Sequence, residues 1–178
     1  MAIKALQSGG VIAYPTEAVY GLGCLPVCWP AVLRILDLKQ RSVRKGLILV
    51  ASSPEQLLPY IVFPNERIRN KVMSTWPGPV TWVLPARPGV PFWIRGDHDS
   101  VAVRVSEHKI VRLLCARAGP LVSTSANPSR MPPARSALKV RSYFGEQLDY
   151  IVPGKLGLLS HTTPIRDALS GKFLRSSG

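Results

Sequence analysis

Short apolar runs punctuated by proline, glycine and polar clusters organise this chain, and their period switches repeatedly between two and about 3.6 residues. VIAYP (11–15) and LILVAS (47–52) are apolar on successive positions, which predicts strands buried on both faces. VTWVLPA (80–86) and SVAVRV (100–105) also read as strands, the second alternating Val101, Val103 and Val105 with Ala102 and Arg104. PLVSTSAN (120–127) is a strand running into a polar turn, and a short strand is expected near 149–152. Helices are predicted at 2–8 with Gly9 as the stop, and at 31–39 behind Trp29-Pro30, since proline suits a first helical turn. Further helices are predicted at 54–61, at 65–76 ahead of Pro77-Gly78-Pro79, at 107–119 closed by Gly119, and near 136–143. TEAVYGLG (16–23) reads as a capping threonine followed by two glycines, and the segment beyond 152 as loop-rich. Strands alternating with helices predict an α/β fold with a twisted open sheet.

Composition narrows this to one unit. The chain has 178 residues, 46% hydrophobic and 19% charged, enough apolar material for a core and too much for a disordered segment. No internal repeat or linker divides it, so 1–178 is read as a single domain. The 14 glycines and 17 prolines predict many turns and no long helices. No apolar run approaches the roughly 20 residues of a membrane helix. The start MAIKALQSGG is too short and too weakly apolar for a signal peptide, so a cytoplasmic protein without membrane contact is expected. Cys24, Cys28 and Cys115 form no disulfide framework, and neither they nor His98, His108 and His161 have zinc-site spacing. No metal site is predicted.

Charge adds a partner class. Lys+Arg 23 against Asp+Glu 10 gives +13, and both halves of the chain share it. A domain positive throughout attracts polyanions such as RNA, DNA or phosphate-rich small molecules. The alternative is basicity that tracks the composition of the host.

Catalytic signatures are sparse. P-loop, G-x-G-x-x-G, G-x-S-x-G and H-E-x-x-H are all absent. An enzyme of this kind binds and positions reactants that react with each other, and phosphoryl or nucleotidyl transfer suits that description. Three places carry suitable residues. LKQRSVRKG (38–46) ends a helix in Lys39 and leaves through Arg41, Arg44 and Lys45; in an extended segment Lys39 and Arg41 would converge on one phosphate chain. Cations solvated at a helix C-terminus are the equal alternative. STSAN (123–127) puts Ser123, Ser125 and Asn127 at a strand's carboxyl end, a ligand crevice or an ordinary polar turn. Arg104, in a mostly apolar strand, needs a partner, either a carboxylate such as Asp97 or Asp99 or the carboxylate of a ligand.

YPTEAVYGLG (14–23), LKQR (38–41), PGPVTWVL (77–84), SVAVRV (100–105) and PLVSTSAN (120–127), in this order, resemble the YrdC/TsaC family of threonylcarbamoyl-AMP synthases. The resemblance runs from Val11 to about Arg175. It implies a single-domain twisted open mixed sheet flanked by helices, with a basic concave cleft. It also implies a nucleotidyltransferase joining L-threonine, bicarbonate and ATP into L-threonylcarbamoyladenylate and pyrophosphate, for threonylcarbamoyladenosine in tRNA. By motif position Lys39, Arg41, Ser125 and Asn127 match ATP contacts, as do Ser100 and Arg175 of FLRSSG (173–178). Thr16, Arg104 and Ser123 match threonine contacts. Mg²⁺ would travel with ATP as substrate, with no tightly bound cofactor and no catalytic side chain. Implied partners are the threonylcarbamoyl-transferase complex proteins and tRNA or double-stranded RNA.

Two features depart from the family pattern. TTPIRD (162–167) stands where the family has a P-S-T-I-V-D element, leaving Thr163 to supply a threonine-binding hydroxyl beside Pro164. The amino-terminal helix also looks short, and no room is left for a second carboxyl-terminal domain. The alternative function is a non-enzymatic maturation factor binding double-stranded RNA, tRNA or ribosomal RNA, for which the charge is the main credential.

Overall fold

The structure, a computed structural model, describes residues 1–176; the last two residues of FLRSSG lie outside it. Among these residues six helices occur: α1 (Ala2–Gln7), α2 (Trp29–Leu38), α3 (Glu66–Met73), α4 (Phe92–Arg95), α5 (Lys109–Ala118) and α6 (Ala137–Phe144). The strands are β1 (Ile12–Pro15), β2 (Tyr20–Cys24), β3 (Ile48–Ala51), β4 (Thr81–Pro85), β5 (Ser100–Val105), β6 (Leu121–Ser125), β7 (Tyr150–Ile151), β8 (Ile165–Asp167) and β9 (Phe173–Arg175). They form one sheet in the order β7-β1-β2-β6-β3-β5-β4-β8-β9. It is mixed: β3 runs parallel to β5, while β6 is antiparallel to both β2 and β3.

Four differences from the sequence reading have clear causes. YGLG is strand β2, made inconspicuous by Gly21 and Gly23, where a side chain at 23 would overlap the Tyr14 ring. Residues 54–57 wind only as a 3-10 turn, not as a helix to 61, because Pro59 lacks the amide and clashes with a continuing helix. FWIR (92–95) forms a short helix that no periodicity announces. The tail contributes β8 and β9, whose exposed or half-buried side chains give no apolar run.

Alternation along the strands splits the side chains between two faces. On one face Leu22, Leu49, Trp82, Leu84, Val101, Val103 and Val122 pack with Val32 and Ile35 of α2, Val72 of α3, and Val140 and Phe144 of α6. On the other, Ile12, Tyr14, Val50 and Leu121 pack under Leu6 of α1 and Val111, Leu114 and Cys115 of α5. Only part of that second face is covered. Where the helices stop, the strands carry Gly21, Ser123, Ser125, Ile48, Ala102, Ser100, Val83 and Thr81, mostly small or polar residues that give a helix little to pack on.

Among the described residues no helix is long and apolar enough to cross a membrane. No group of three or more His, Cys, Asp or Glu comes together there. The three cysteines are free, with Cys24 and Cys115 buried and Cys28 half-buried.

Candidate active site

The uncovered part of the sheet is the floor of a cavity of about 560 Å³. All ten residues singled out from the sequence lie on its wall: Thr16, Lys39, Arg41, Ser100, Arg104, Ser123, Ser125, Asn127, Thr163 and Arg175. Lys45, Arg95 and His98 join them, and among the described residues the wall holds no aspartate or glutamate.

Lys39 and Arg41 meet the cavity by a turn rather than by the extended alternation the sequence suggested. Lys39 caps α2 in the right-handed helical region, and Gln40 takes a positive φ of 49°. That reversal lets the Arg41 amide donate to the Leu36 carbonyl at 2.9 Å, as helix ends with a left-handed residue do. Lys39 is therefore buried, 8% exposed, rather than solvated at a helix end. Its Nζ donates to the carbonyls of Ser125 (2.5 Å) and Asn127 (2.9 Å), and at 3.4 Å to Asn127 Oδ1. Burial, and then the neighbouring Arg41 charge, pull the Lys39 ammonium down to about 8. Arg41 Nη2 donates to the Gly46 carbonyl at 3.0 Å, its Nε is buried without a partner among the described residues, and burial lowers its pKa as well.

Segment 40–46 holds a 3-10 turn at Val43–Lys45 and is fastened to the chain near 95. Leu47 and Asp97 amides donate to the Ile94 and Arg44 carbonyls, and the two backbones cross at Gly46 and Gly96, where neither has room for a Cβ.

Ser123 and Ser125 share the cavity face of β6, opposite Gly23 and Gly21. The buried Tyr14 hydroxyl donates to Ser123 Oγ at 2.8 Å. Thr16 closes its own turn, its Oγ1 donating to the Val19 carbonyl. Asn127 Nδ2 donates to the carbonyls of Pro128 and Met131, which fixes the loop beyond β6. Arg175 reaches over from β9 and donates to the Thr163 carbonyl at 2.9 Å. Its pKa is lowered by burial and then by Arg104 and Arg41, so these three guanidinium groups feel one another across the cavity.

Arg104 has a partner, but neither Asp97 nor Asp99. Asp97 faces Arg44 at 3.5 Å on the surface. Arg104 Nη1 donates at 2.9 Å to Glu17 Oε2, from the turn between β1 and β2, and both residues are about nine-tenths buried or more. Ser106 Oγ donates to the other Glu17 oxygen at 2.6 Å. Burial alone would raise the Glu17 carboxyl; the Arg104 guanidinium and the Ser106 hydroxyl outweigh it and hold it below the usual carboxylate range. Sequence reasoning missed Glu17 and Tyr14. A lone acidic residue between two apolar strands, with one unpaired arginine elsewhere in the core, was the available signal for Glu17.

A family model covering Sua5, YciO and YrdC, described as telomere recombination, matches residues 4–177. The chain belongs to the Sua5/YciO/YrdC family. Among curated Sua5/YciO/YrdC relatives, a threonylcarbamoyl-AMP synthase of Stutzerimonas stutzeri is 52% identical over 97% of this chain and 93% of its own length. One of Coxiella burnetii is 49% identical over 98% and 94%. The crystal structure of P. abyssi Sua5 complexed with L-threonine superposes with a TM-score of 0.91 at 34% identity, covering 99% of this chain, which spans 53% of that longer protein. E. coli YciO superposes at 0.86 with 25% identity, covering 99% of this chain and 87% of its own.

Proposed function

We propose that this chain is a threonylcarbamoyl-AMP synthase, which joins L-threonine, bicarbonate and ATP into L-threonylcarbamoyladenylate and releases pyrophosphate. The observation that carries the reading is one cavity whose two ends are braced separately. Lys39 ties the end of α2 to the Ser125–Asn127 loop at one end. Tyr14 and Glu17 hold Ser123 and Arg104 at the other. The relatives that carry the synthase name share about half their residues with this chain over nearly its full length.

In this reading Lys39, Arg41, Ser100, Ser125, Asn127 and Arg175 face ATP. Thr16, Arg104, Ser123 and Thr163 face threonine, with Arg104 at its carboxylate. The threonine amine attacks the bicarbonate carbon, a C–O bond to its hydroxyl breaks, and a carbamate forms with loss of water. A carbamate oxygen then attacks the α-phosphorus of ATP, and the bond to the bridging oxygen breaks to release pyrophosphate. No side chain is consumed, and cationic and hydroxyl groups fixed in advance stabilise the charge that develops on phosphate. Mg²⁺ enters as part of the ATP substrate. Transfer of the threonylcarbamoyl group to tRNA falls to partner proteins, and a cytoplasmic site fits that role. Binding of RNA without catalysis rests on net charge alone, and no feature of the cavity favours it.

Incubating the protein with ATP, L-threonine and bicarbonate should release pyrophosphate only when threonine is present. Release at the same rate without threonine refutes the assignment. Lys39→Ala and Arg41→Ala should each cut the rate by orders of magnitude.

A further inference from the structure

Glu17 is not on the cavity wall; it stands behind Arg104 and is 3% exposed. Both of its oxygens are occupied, Oε2 by Arg104 Nη1 at 2.9 Å and Oε1 by Ser106 Oγ at 2.6 Å. Ser106 Oγ is itself fixed by accepting from the His108 amide at 3.1 Å. The consequence lies in which guanidinium nitrogen Glu17 takes. Nη1 sits on the edge that turns back toward the arginine stem, while Nε–H and the facing Nη2–H lie side by side as parallel donors. Among the described residues Arg104 Nε is buried with no partner and Nη2 makes no hydrogen bond. With Nη1 anchored and Nε closed off from the cavity, Nη2 is the nitrogen left to donate a charge-assisted hydrogen bond to a carboxylate.

Arg104 needs such an anchor because Lys39, Arg41 and Arg175 share its cavity, and like charges at close range drive a free guanidinium toward solvent. We infer that Glu17, clamped by Ser106, is a positioning residue for amino-acid binding: it sets the rotation of Arg104 so that Nη2 meets the substrate carboxylate. The inference rests on the functional reading above and deepens it, since it separates recognition of the amino acid from that of the nucleotide.

The test uses Glu17→Gln, which keeps shape and an acceptor oxygen while removing the charge. The KM for L-threonine should rise at least tenfold, with the KM for ATP within twofold of wild type. L-Threoninamide, which lacks the carboxylate, should inhibit wild type and variant with the same Ki, because it forms no charge-assisted bond to the aligned Arg104 nitrogen. A structural defect would shift the amide, ATP and kcat together. An unchanged threonine KM in folded Glu17→Gln overturns the inference, and so does a parallel loss for threonine and threoninamide. If Glu17→Gln does not fold, Ser106→Ala loosens the same clamp and should raise the threonine KM severalfold with ATP unaffected; no rise overturns the inference. Wild-type protein that releases no threonine-dependent pyrophosphate overturns the functional reading and this inference with it. An active wild type with an insensitive variant overturns the inference alone.

Discussion

Raising the pH from 7 to 9.5 should take the proton from Lys39 well before an ordinary lysine loses it. Burial, and then Arg41, bring its pKa to about 8 from the usual 10.5. The charged fraction of the free protein then falls from about nine-tenths at pH 7 to about half at pH 8 and about one-tenth at pH 9. ATP gains almost no charge over this range, because phosphate second ionisations lie near pH 6. If ATP binds only the protonated form, its affinity should weaken about twofold by pH 8, about tenfold by pH 9 and about thirtyfold by pH 9.5.

Stability should move the opposite way. With the folded pKa below the unfolded one, the unfolded chain holds more protons between about 8 and 10.5. The cost of burying the ammonium is present below that window and relieved as pH rises through it. A displacement of about 2.5 units is worth about 3 kcal/mol, of which roughly 2 should be recovered by pH 9.5. Lys39 is 8% exposed, so solvent screening removes little of this. Calorimetric titration with MgATP at fixed ionic strength, beside urea unfolding of the free protein, reads both trends, and general alkaline unfolding would lower both together. Lys39→Arg stays charged and should show a flat binding profile. Wild-type affinity that is flat from pH 7 to 9.5, or a fall of the same size in the arginine variant, refutes the reasoning.

Tyr14→Phe removes the 2.8 Å hydrogen bond to Ser123 and should cost about 1 kcal/mol in urea unfolding while raising the threonine KM severalfold. Unchanged threonine kinetics would detach Ser123 from the amino-acid end. Thr81 is fully buried and its hydroxyl has no partner among the described residues, so Thr81→Val should stabilise the fold by about 1 kcal/mol in the same measurement. A lower Tm would reveal a partner for the hydroxyl. Gly96 has φ 65° and a Cβ there would overlap the Arg44 carbonyl. Gly96→Ala should therefore cost about 2–5 kcal/mol, combining left-handed strain with backbone overlap, and a thermal shift near zero contradicts the crossing.

What the sequence disclosed depended on how far a residue's partner lies along the chain. The apolar runs that became β1, β3, β4, β5 and β6 were legible because burial on two faces removes polar alternation. β2 was not, since Gly21 and Gly23 are small in order to admit Ser123, Thr16 and Tyr14, contacts that a local pattern cannot contain. β8 and β9 were hidden for the opposite reason: they bury too little to leave a pattern. Among site residues, the serines of STSAN and the cations of LKQR stood out by type and spacing. Arg104 stood out as a charge in an apolar strand, but its partner Glu17 lies 87 positions earlier in a turn, beyond any local rule. The Lys39–Arg41 geometry depends on one left-handed residue, Gln40, a conformation more often taken by glycine.

The way the cations are held explains how so many occupy one small cavity without cancelling its attraction for anions. Lys39 is held chiefly by the Ser125 and Asn127 carbonyls, Arg41 by that of Gly46, and Arg175 by that of Thr163. A carbonyl satisfies a donor without neutralising its charge, so these three groups keep their field; burial lowers the pKa of each, and neighbouring cations add to this at Lys39 and Arg175. Among the described residues Arg104 alone of these four is paired with a carboxylate, at the end assigned to the amino acid. A nucleotide triphosphate carries several negative charges and needs net positive charge to meet it. An amino acid's single carboxylate needs orientation more than field. Carbonyl-held Lys39 and Arg41 at one end and an ion-paired arginine at the other follow from that difference. Replacing a carbonyl contact at the nucleotide end with a carboxylate, as in Asn127→Asp beside Lys39, should weaken ATP binding by an order of magnitude or more while sparing threonine. Equal weakening of both substrates would show that the two ends are not electrostatically separate.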